Sequence, residues 1–211
     1  MANDYKDMIH SILDGLSQID YIKPEDIASI PLYMDQITSF MESQLQSARR
    51  HPDDKIMTKT MINNYTKNNL IPPPEKKKYS KEHVLLLIFI YYLKNILSIG
   101  DIQKLLSPIT EKYFQNQNDL SLTDVYKEVF SLERDQMDRL TKEVVRSYKI
   151  ADTTFADVPK EDREYLNQFA FIGMMAFDVY IKKQIIERMI DQMDDTEKNS
   201  DNKKEKKNKK D

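Results

Sequence analysis

The sequence predicts an all-α protein, and its glycine content and charge pattern both support this. Only three of its 211 residues are glycine, whereas hairpin sheets and phosphate-binding loops need glycine where the backbone φ is positive. Charged residues make up 32% of the chain and are interleaved with apolar ones, which is typical of amphipathic helices with a solvated outer face. The length allows one large domain or two modest ones.

The first quarter of the chain predicts two helices. Apolar residues recur at helical spacing over residues 5–19, so we treat residues 1–21 as an N-terminal helix. Pro24 and Pro31 each stand where a helix can begin, because proline tolerates a position in the first turn. The apolar spacing after Pro31 predicts a second helix that ends near Arg49.

Residues 58–69 predict a short helix with two different faces. Thr58 is a good N-cap, and helical spacing places Met61, Ile62 and Tyr65 on one side. The opposite side and its edge contain five polar residues: Lys59, Thr60, Asn63, Asn64 and Lys67. Asparagine amides bond to base edges and lysines to phosphates, which favours a DNA-binding face. An exposed polar face without a ligand is the alternative.

A basic segment follows this helix at residues 72–79. Three consecutive prolines enforce extended backbone. They precede a lysine triplet and a tyrosine: Lys76, Lys77, Lys78 and Tyr79. Residues 49–81 carry a formal charge of +6 within a chain of −3, and such a basic island is typical of proteins that bind a polyanion, most often nucleic acid. The alternatives are a solvated lysine-rich loop and a proline-rich linker bound by a partner domain.

The next stretch predicts a buried helix and a shorter one. Ser80 has the character of an N-cap, and the unbroken apolar run at residues 84–93 predicts a helix that is buried on nearly every side. Gly100 interrupts the pattern. A short helix should follow at residues 101–106 and end near Pro108.

Two long amphipathic helices are predicted at residues 122–148 and 160–193. The inward face of the second should contain eight residues: Phe169, Ile172, Met175, Ala176, Val179, Ile185, Ile186 and Met189. The helices can pair as a hairpin across residues 151–159, or offer their apolar faces to a second subunit. We therefore interpret residues 110–193 as a helical assembly or effector region. The strongly charged residues 194–211 should be a disordered tail.

Several functional classes are not expected. The chain has no cysteine, which excludes disulfides, thiol nucleophiles and thiolate zinc sites. Its histidines, at positions 10, 51 and 83, fall on three different elements without a nearby carboxylate cluster, so we expect no metal site, no cofactor and no enzyme activity. The N-terminus lacks the basic and apolar regions of a signal peptide, and residues 84–93 fall short of the ~20 that span a bilayer. A cytoplasmic protein without membrane contact is expected.

The central part of the chain resembles the winged helix-turn-helix domain of the MerR family of bacterial regulators. Four motifs support this resemblance: Met57-Thr58 with Tyr65 in the helix, Asn69-Leu70-Ile71 at its end, Lys77-Lys78-Tyr79 in the wing, and Ser98-Ile99-Gly100-Asp101-Ile102 in the closing turn. The resemblance implies a domain at residues 22–109, with a recognition helix at 58–69 and a wing at 72–79. It also implies double-stranded DNA as the partner and a homodimer formed through the C-terminal helices.

The chain is still more similar to an uncharacterised bacterial family whose shared domain, of unknown function, is a divergent relative of MerR. Four stretches between residues 32 and 80 support this similarity: Leu32-Tyr33-Met34-Asp35-Gln36, Lys59-Thr60-Met61-Ile62-Asn63-Asn64-Tyr65, Pro72-Pro73-Pro74 and Lys77-Lys78-Tyr79-Ser80. MerR proteins usually have arginine where Asn63 stands, and the cysteines of metal sensors are absent.

The expected function is that of a sequence-specific DNA-binding transcriptional regulator. Its DNA-binding residues would be the five polar residues of the helix at 58–69 together with Lys76, Lys77, Lys78 and Tyr79. The alternative is a non-enzymatic protein-interaction module whose basic segment binds an acidic partner. The sequence indicates no particular small-molecule effector.

Overall fold

The computed structural model describes the backbone of residues 2–17, 21–115 and 120–208, and it confirms the all-α prediction. This part of the chain contains two short strands, β1 (Leu32–Tyr33) and β2 (Lys78–Tyr79). It also contains eight α-helices: α1 (Ala2–Ser17), α2 (Met34–Leu45), α3 (Lys59–Lys67), α4 (Lys81–Leu93), α5 (Ile99–Tyr113), α6 (Leu122–Ser131), α7 (Glu133–Asp152) and α8 (Lys160–Asn208).

The chain forms two compact units. One comprises residues 1–22 and 127–181, and the other comprises residues 23–126 and 182–211. Each unit therefore combines an early and a late part of the chain, and α8 contributes residues to both. The predicted division at residues 109/110 falls inside α5.

The second unit is built around α4. All residues from Val84 to Ile90 are at most 9% exposed, so the predicted helix buried on nearly every side is confirmed. Other helices of this unit contribute buried side chains to its core: Ile37 and Met41 from α2, Ile62 from α3, and Ile102 and Leu106 from α5. The Phe89 ring of α4 packs edge to face on Tyr126 of α6, with 5.4 Å between ring centroids.

A two-stranded antiparallel ladder joins the residues before α2 to the end of the basic segment. Leu32 pairs with Tyr79, and Tyr33 pairs with Lys78. The prediction that a helix begins at Pro31 is therefore wrong by three residues, because the chain is extended at residues 32–33 and α2 begins at Met34. The Tyr33 amide then donates to Gln36 Oε1 at 2.8 Å, which satisfies a free donor at the helix start.

Helix α5 continues past Pro108, where the sequence predicts an end. Proline removes one amide donor from the helix interior, but α5 runs on to Tyr113. Buried residues on the N-terminal side of Pro108 and an aromatic contact beyond it explain this continuation. Phe114 packs edge to face on His83 of α4 with 4.8 Å between ring centroids, which fixes the far end of the helix.

The predicted single helix at residues 122–148 is two helices, α6 and α7, separated at Leu132. The sequence offers a reason, because the apolar spacing slips to five residues between Leu132 and Met137 and a helical stripe repeats every three or four. Leu132, which stands at this break, is 65% exposed.

The first unit packs α1, α7 and α8 together. Its core contains Ile9, Leu13, Val144, Ala151 and Phe171. At the turn between α7 and α8, the Asn167 amide nitrogen donates to the Asp152 carbonyl at 3.1 Å. These contacts show that α7 and α8 pair as a hairpin, which is one of the two arrangements that the sequence allows, and they add α1, which the sequence predicts only as a separate element.

Helix α8 differs from the prediction in length and in burial. It continues to Asn208, through residues for which the sequence predicts disorder, and no glycine or proline interrupts residues 194–208. The predicted inward face is largely solvent-exposed, with Phe169, Ile172 and Val179 at 63%, 61% and 59% exposure. Phe171 and Ile190 are buried in their place.

Candidate nucleic-acid interface

Helix α3 is fixed at both ends by local hydrogen bonds. The Thr58 hydroxyl accepts from the Met61 amide at 3.2 Å, so the predicted N-cap is confirmed. At the other end, the amides of Asn69 and Leu70 donate to the carbonyls of Thr66 and Tyr65 at 3.1 and 2.9 Å, which is the pattern of a Schellman motif. Asn69 has φ 55° and so occupies the left-handed position that glycine or asparagine usually fills.

The two faces of α3 are as the sequence predicts. Ile62 and Tyr65 are 0% and 6% exposed, whereas Met61 is half-buried. Burial raises the pKa of the Tyr65 phenol, so this residue is a neutral anchor. All five predicted polar residues, Lys59, Thr60, Asn63, Asn64 and Lys67, are exposed. Helix α3 therefore attaches by one side and presents amides, a hydroxyl and ammonium groups on the other.

Lys59 has an intramolecular partner that its local sequence does not indicate. Its ammonium group forms an ion pair with the Asp35 carboxylate in the first turn of α2. Both side chains are well exposed, at 60% and 74%, and an exposed pair of this kind contributes little stability, roughly 0–1 kcal/mol. A phosphate can compete for Lys59, but Asp35 places a negative charge beside the N-terminus of α3.

The basic segment turns sharply at its lysines. The Lys78 amide donates to the Glu75 carbonyl at 2.9 Å, and the two residues between them, Lys76 and Lys77, have φ of 48° and 64°. Positive φ at both central positions is characteristic of type I′ turns, which usually contain asparagine or glycine. Two lysines in this conformation cost about 1 kcal/mol each. The turn leaves both side chains exposed.

Lys78 and Tyr79 follow the turn and have different surroundings. The exposed Lys78 side chain lies over the Tyr33 ring, with 5.1 Å from Nζ to the ring centroid. Tyr79, in contrast, is only 3% exposed, and burial raises the pKa of its phenol, an effect partly opposed by a hydrogen bond with the Thr66 side chain. The predicted role of Tyr79 in DNA contact is therefore not supported by its position. It links the basic segment to α3.

Lys94 supports the start of α3 from a distance of 38 residues in the sequence. Its ammonium group donates to the Ile56 carbonyl at 2.7 Å, two residues before the Thr58 cap. Desolvation lowers the pKa of this partly buried lysine. Nothing in the local sequence around Lys94 indicates this contact, because it depends on how the end of α4 lies beside the loop that precedes α3.

Among the residues whose side chains are described, no group of three or more histidine, aspartate or glutamate residues could hold a metal ion. No helix in the described part of the chain combines the length and the apolar character needed to cross a membrane.

Comparison with known proteins identifies a family. Neither the curated proteins nor the solved structures give a match. A family model described as a domain of unknown function, DUF1836, matches residues 22–129, slightly more than half of the chain. The match covers α2 to α5, the basic segment and most of α6, and so extends past the domain at residues 22–109 that the resemblance implies. The chain therefore belongs to the family defined by this domain of unknown function, DUF1836.

Proposed function

We propose that this protein is a sequence-specific DNA-binding transcriptional regulator. In this proposal residues 22–109 form a winged helix-turn-helix domain related to MerR, α3 is the recognition helix, and the basic segment at 72–79 is the wing. The observation that carries the proposal is the arrangement of α3, whose Ile62 and Tyr65 are buried while its amides and lysines face solvent. An α-helix with such a face has the dimensions and the chemistry to enter the major groove.

The exposed residues divide into two kinds by chemistry. Lysines neutralise phosphates and release counterions, so Lys67, Lys76 and Lys77 would set affinity with little dependence on sequence. Lys59 would join them once a phosphate displaces Asp35, and Lys78 would do so from its position over Tyr33. Asn63, with Thr60 and Asn64 beside it, has the groups that discriminate between bases.

A homodimer formed through the C-terminal helices completes the proposal. Recognition of two half-sites needs two copies of α3 about one helical turn apart. Helix α8 offers apolar side chains at intervals of three and four residues, namely Phe169, Ile172, Ala176 and Val179, and all four are exposed in the single chain. A second copy of α8 would cover this stripe, as in two-helix coiled coils.

Binding to duplex DNA at several salt concentrations tests this proposal. A duplex selected from a random pool would serve as ligand, and the logarithm of its binding constant should fall steeply with the logarithm of salt. Replacement of Lys76, Lys77 and Lys78 by alanine should weaken binding to every duplex. It should also flatten this slope by roughly 0.9 for each phosphate that the variant no longer neutralises.

A matched control removes the same charge elsewhere. Lys142, Lys149 and Lys160 are exposed lysines of the other unit, and their replacement by alanine should leave the slope unchanged. An equal loss of affinity in both triple variants would show that net charge, and not the basic segment, determines binding. A wild-type chain that binds an acidic protein but no duplex would instead support the interaction module.

A further inference from the structure

The ion pair between Lys59 and Asp35 joins the first turns of two helices. Lys59 is the first residue of α3, directly after the Thr58 cap, and Asp35 is the second residue of α2. The bond joins Lys59 Nζ to Asp35 Oδ1. With side-chain exposures of 60% and 74%, the pair contributes little to folding, whereas both charged groups are accessible to a ligand.

The backbone holds both partners in place. Tyr33 pairs with β2 in the antiparallel ladder, and its amide donates to Gln36 Oε1 at 2.8 Å, so the first turn of α2 is fixed from two sides. The Thr58 hydroxyl fixes the first turn of α3, and α2 packs against α3 within one compact unit. Asp35 therefore limits where the flexible Lys59 side chain can place its ammonium group.

Lys59 differs in this respect from other lysines of the candidate interface. No carboxylate in the described part of the chain forms an ion pair with Lys67, Lys76 or Lys77. Such free ammonium groups gain from a phosphate, because its binding releases counterions. Lys59 already has a counter-charge, which a phosphate would have to displace. It is therefore less suited than the other three to sequence-independent binding.

The ammonium group of Lys59 retains two donors for a base. Lysine has three N–H donors in all, and Asp35 Oδ1 accepts one of them. Guanine presents two acceptors in the major groove, O6 and N7, and lysine can bind both. In helix-turn-helix proteins the N-terminal residues of the recognition helix contact base edges, and Lys59 is the first residue of α3. The donor count and this position both favour contact with guanine.

We propose that Lys59 reads a guanine and that Asp35 is its positioning residue. This inference rests on the proposed function and assigns guanine to the base that faces the N-terminus of α3. In a cognate complex the ion pair persists while Lys59 donates to guanine O6 and N7. On random duplex Lys59 reaches a phosphate only by leaving Asp35, so the pair weakens sequence-independent binding. Asp35 thus raises selectivity through Lys59.

Binding of an Asp35→Asn variant to two duplexes tests the role of Asp35. One duplex is selected from a random pool with the wild-type protein, and the other has random sequence. The variant keeps the size of the side chain and frees Lys59 for one more phosphate. Affinity for random duplex should rise at least about threefold at about 0.1 M salt, with a salt slope steeper by about 0.9. Discrimination between the duplexes should fall at least about fivefold.

Two further variants separate this role from a general effect of charge. Glu111→Gln removes the same charge at an exposed position of α5 and should leave the slope and the discrimination nearly unchanged. In a Lys59→Met background, Asp35→Asn should no longer change either quantity, because Asp35 acts through Lys59. Circular dichroism verifies that each variant is folded.

A guanine analogue tests the base contact itself. Deazaguanine, in which carbon replaces N7, lacks one acceptor and still pairs with cytosine. At one guanine of the selected duplex it should weaken wild-type binding at least about fivefold, and it should have little effect on Lys59→Met. Asp35→Glu keeps the carboxylate and should retain most of this penalty, whereas Asp35→Asn should lose most of it.

The outcomes separate this inference from the proposed function. A wild-type chain that binds no duplex would overturn both. Wild-type slope and discrimination in folded Asp35→Asn, or an equal effect of this change with and without Lys59, would overturn the role of Asp35. The lack of a deazaguanine penalty that depends on Lys59 would overturn the guanine contact. If Asn63→Ala still reduced discrimination in those cases, the proposed recognition helix would stand.

Discussion

Helices α4 and α8 both contain long apolar runs, but only α4 is buried. Every residue from Val84 to Ile90 is at most 9% exposed. In α8, apolar residues such as Phe169, Phe177 and Val179 are 63%, 64% and 59% exposed. An apolar run therefore predicts a helix in both places, but it does not reveal whether the chain itself supplies enough surface to cover that helix.

The number of neighbouring elements explains this difference. Helix α4 packs against α5 and β2 and against Tyr126 of α6, and α2 and α3 add fully buried side chains to the same unit. Helix α8 has 49 residues and buries Phe171 in the small cluster with α1 and α7. An exposed apolar surface of this extent is typical of an interface with a partner, which agrees with the proposed homodimer.

The largest effect should come from a change in the middle of α4. Leu86 is 0% exposed, so Leu86→Ala should lower the free energy of unfolding by about 2–5 kcal/mol through reduced burial and a cavity. Urea denaturation measures this change in the free energy of unfolding. Phe177→Ala in α8 is the matched control, and at concentrations where the protein is monomeric it should cost less than about 1 kcal/mol. Similar losses in the two variants would contradict the contrast between the helices.

The second prediction concerns association through α8. Val179→Asp places a charge on the exposed apolar stripe, so the molar mass from light scattering should fall from twice the 25.0 kDa of one chain to the mass of a single chain. The monomer should keep its circular dichroism spectrum. A wild-type protein that is already monomeric at micromolar concentration would count against the dimer.

The third prediction concerns the C-terminal end of α4. Lys94→Met keeps the aliphatic part of the side chain and removes its hydrogen bond to the Ile56 carbonyl. The substitution should cost roughly 1–2 kcal/mol of stability, and amide exchange should rise in the loop before Thr58. Lys142→Met, at an exposed position of α7, is a control that should change neither quantity.

The fourth prediction has the smallest expected effect and concerns the N-terminal end of α4. The stability of the fold should depend on pH through His83. Burial lowers the pKa of His83 below its ordinary value of 6.5, so the unfolded chain binds a proton more readily than the folded one. The resulting stability is present above pH 6.5 and is lost as the pH falls below it, at up to ~1.4 kcal/mol per pH unit.

The comparison with His83→Gln isolates this contribution. Urea denaturation at about pH 7.5 and about pH 5.5, on either side of the ordinary histidine pKa, should show a larger loss of stability for the wild type than for the variant, because other titrating groups are common to both. Identical losses in the two proteins would mean that His83 is not neutral and desolvated in the folded state.

The sequence predicts those features that depend on neighbouring residues. The Thr58 cap, the two faces of α3 and the burial of residues 84–90 each follow from local spacing and side-chain chemistry. The ladder between β1 and β2, the ion pair between Lys59 and Asp35, and the support from Lys94 do not, because they join segments that are distant in the sequence.

Two further features of the structure cannot be predicted from a local pattern, for physical reasons. Tyr79 stands in a basic, exposed segment, but strand pairing with Leu32 turns its ring inward. In α8 apolar residues occupy most sides of the helix, so periodicity selects no unique inward face and the stripe predicted to be buried is exposed.

The most direct test of the proposed function is the selectivity of an Asn63→Ala variant for DNA. Asn63 is exposed on α3, so the substitution should leave folding intact and reduce discrimination between a selected duplex and random duplex by about 1–3 kcal/mol, with the salt slope nearly unchanged. Gln44→Ala, an exposed change on α2, is the matched control. A folded Asn63→Ala protein with wild-type affinity and selectivity would contradict the assignment of α3 as the recognition helix.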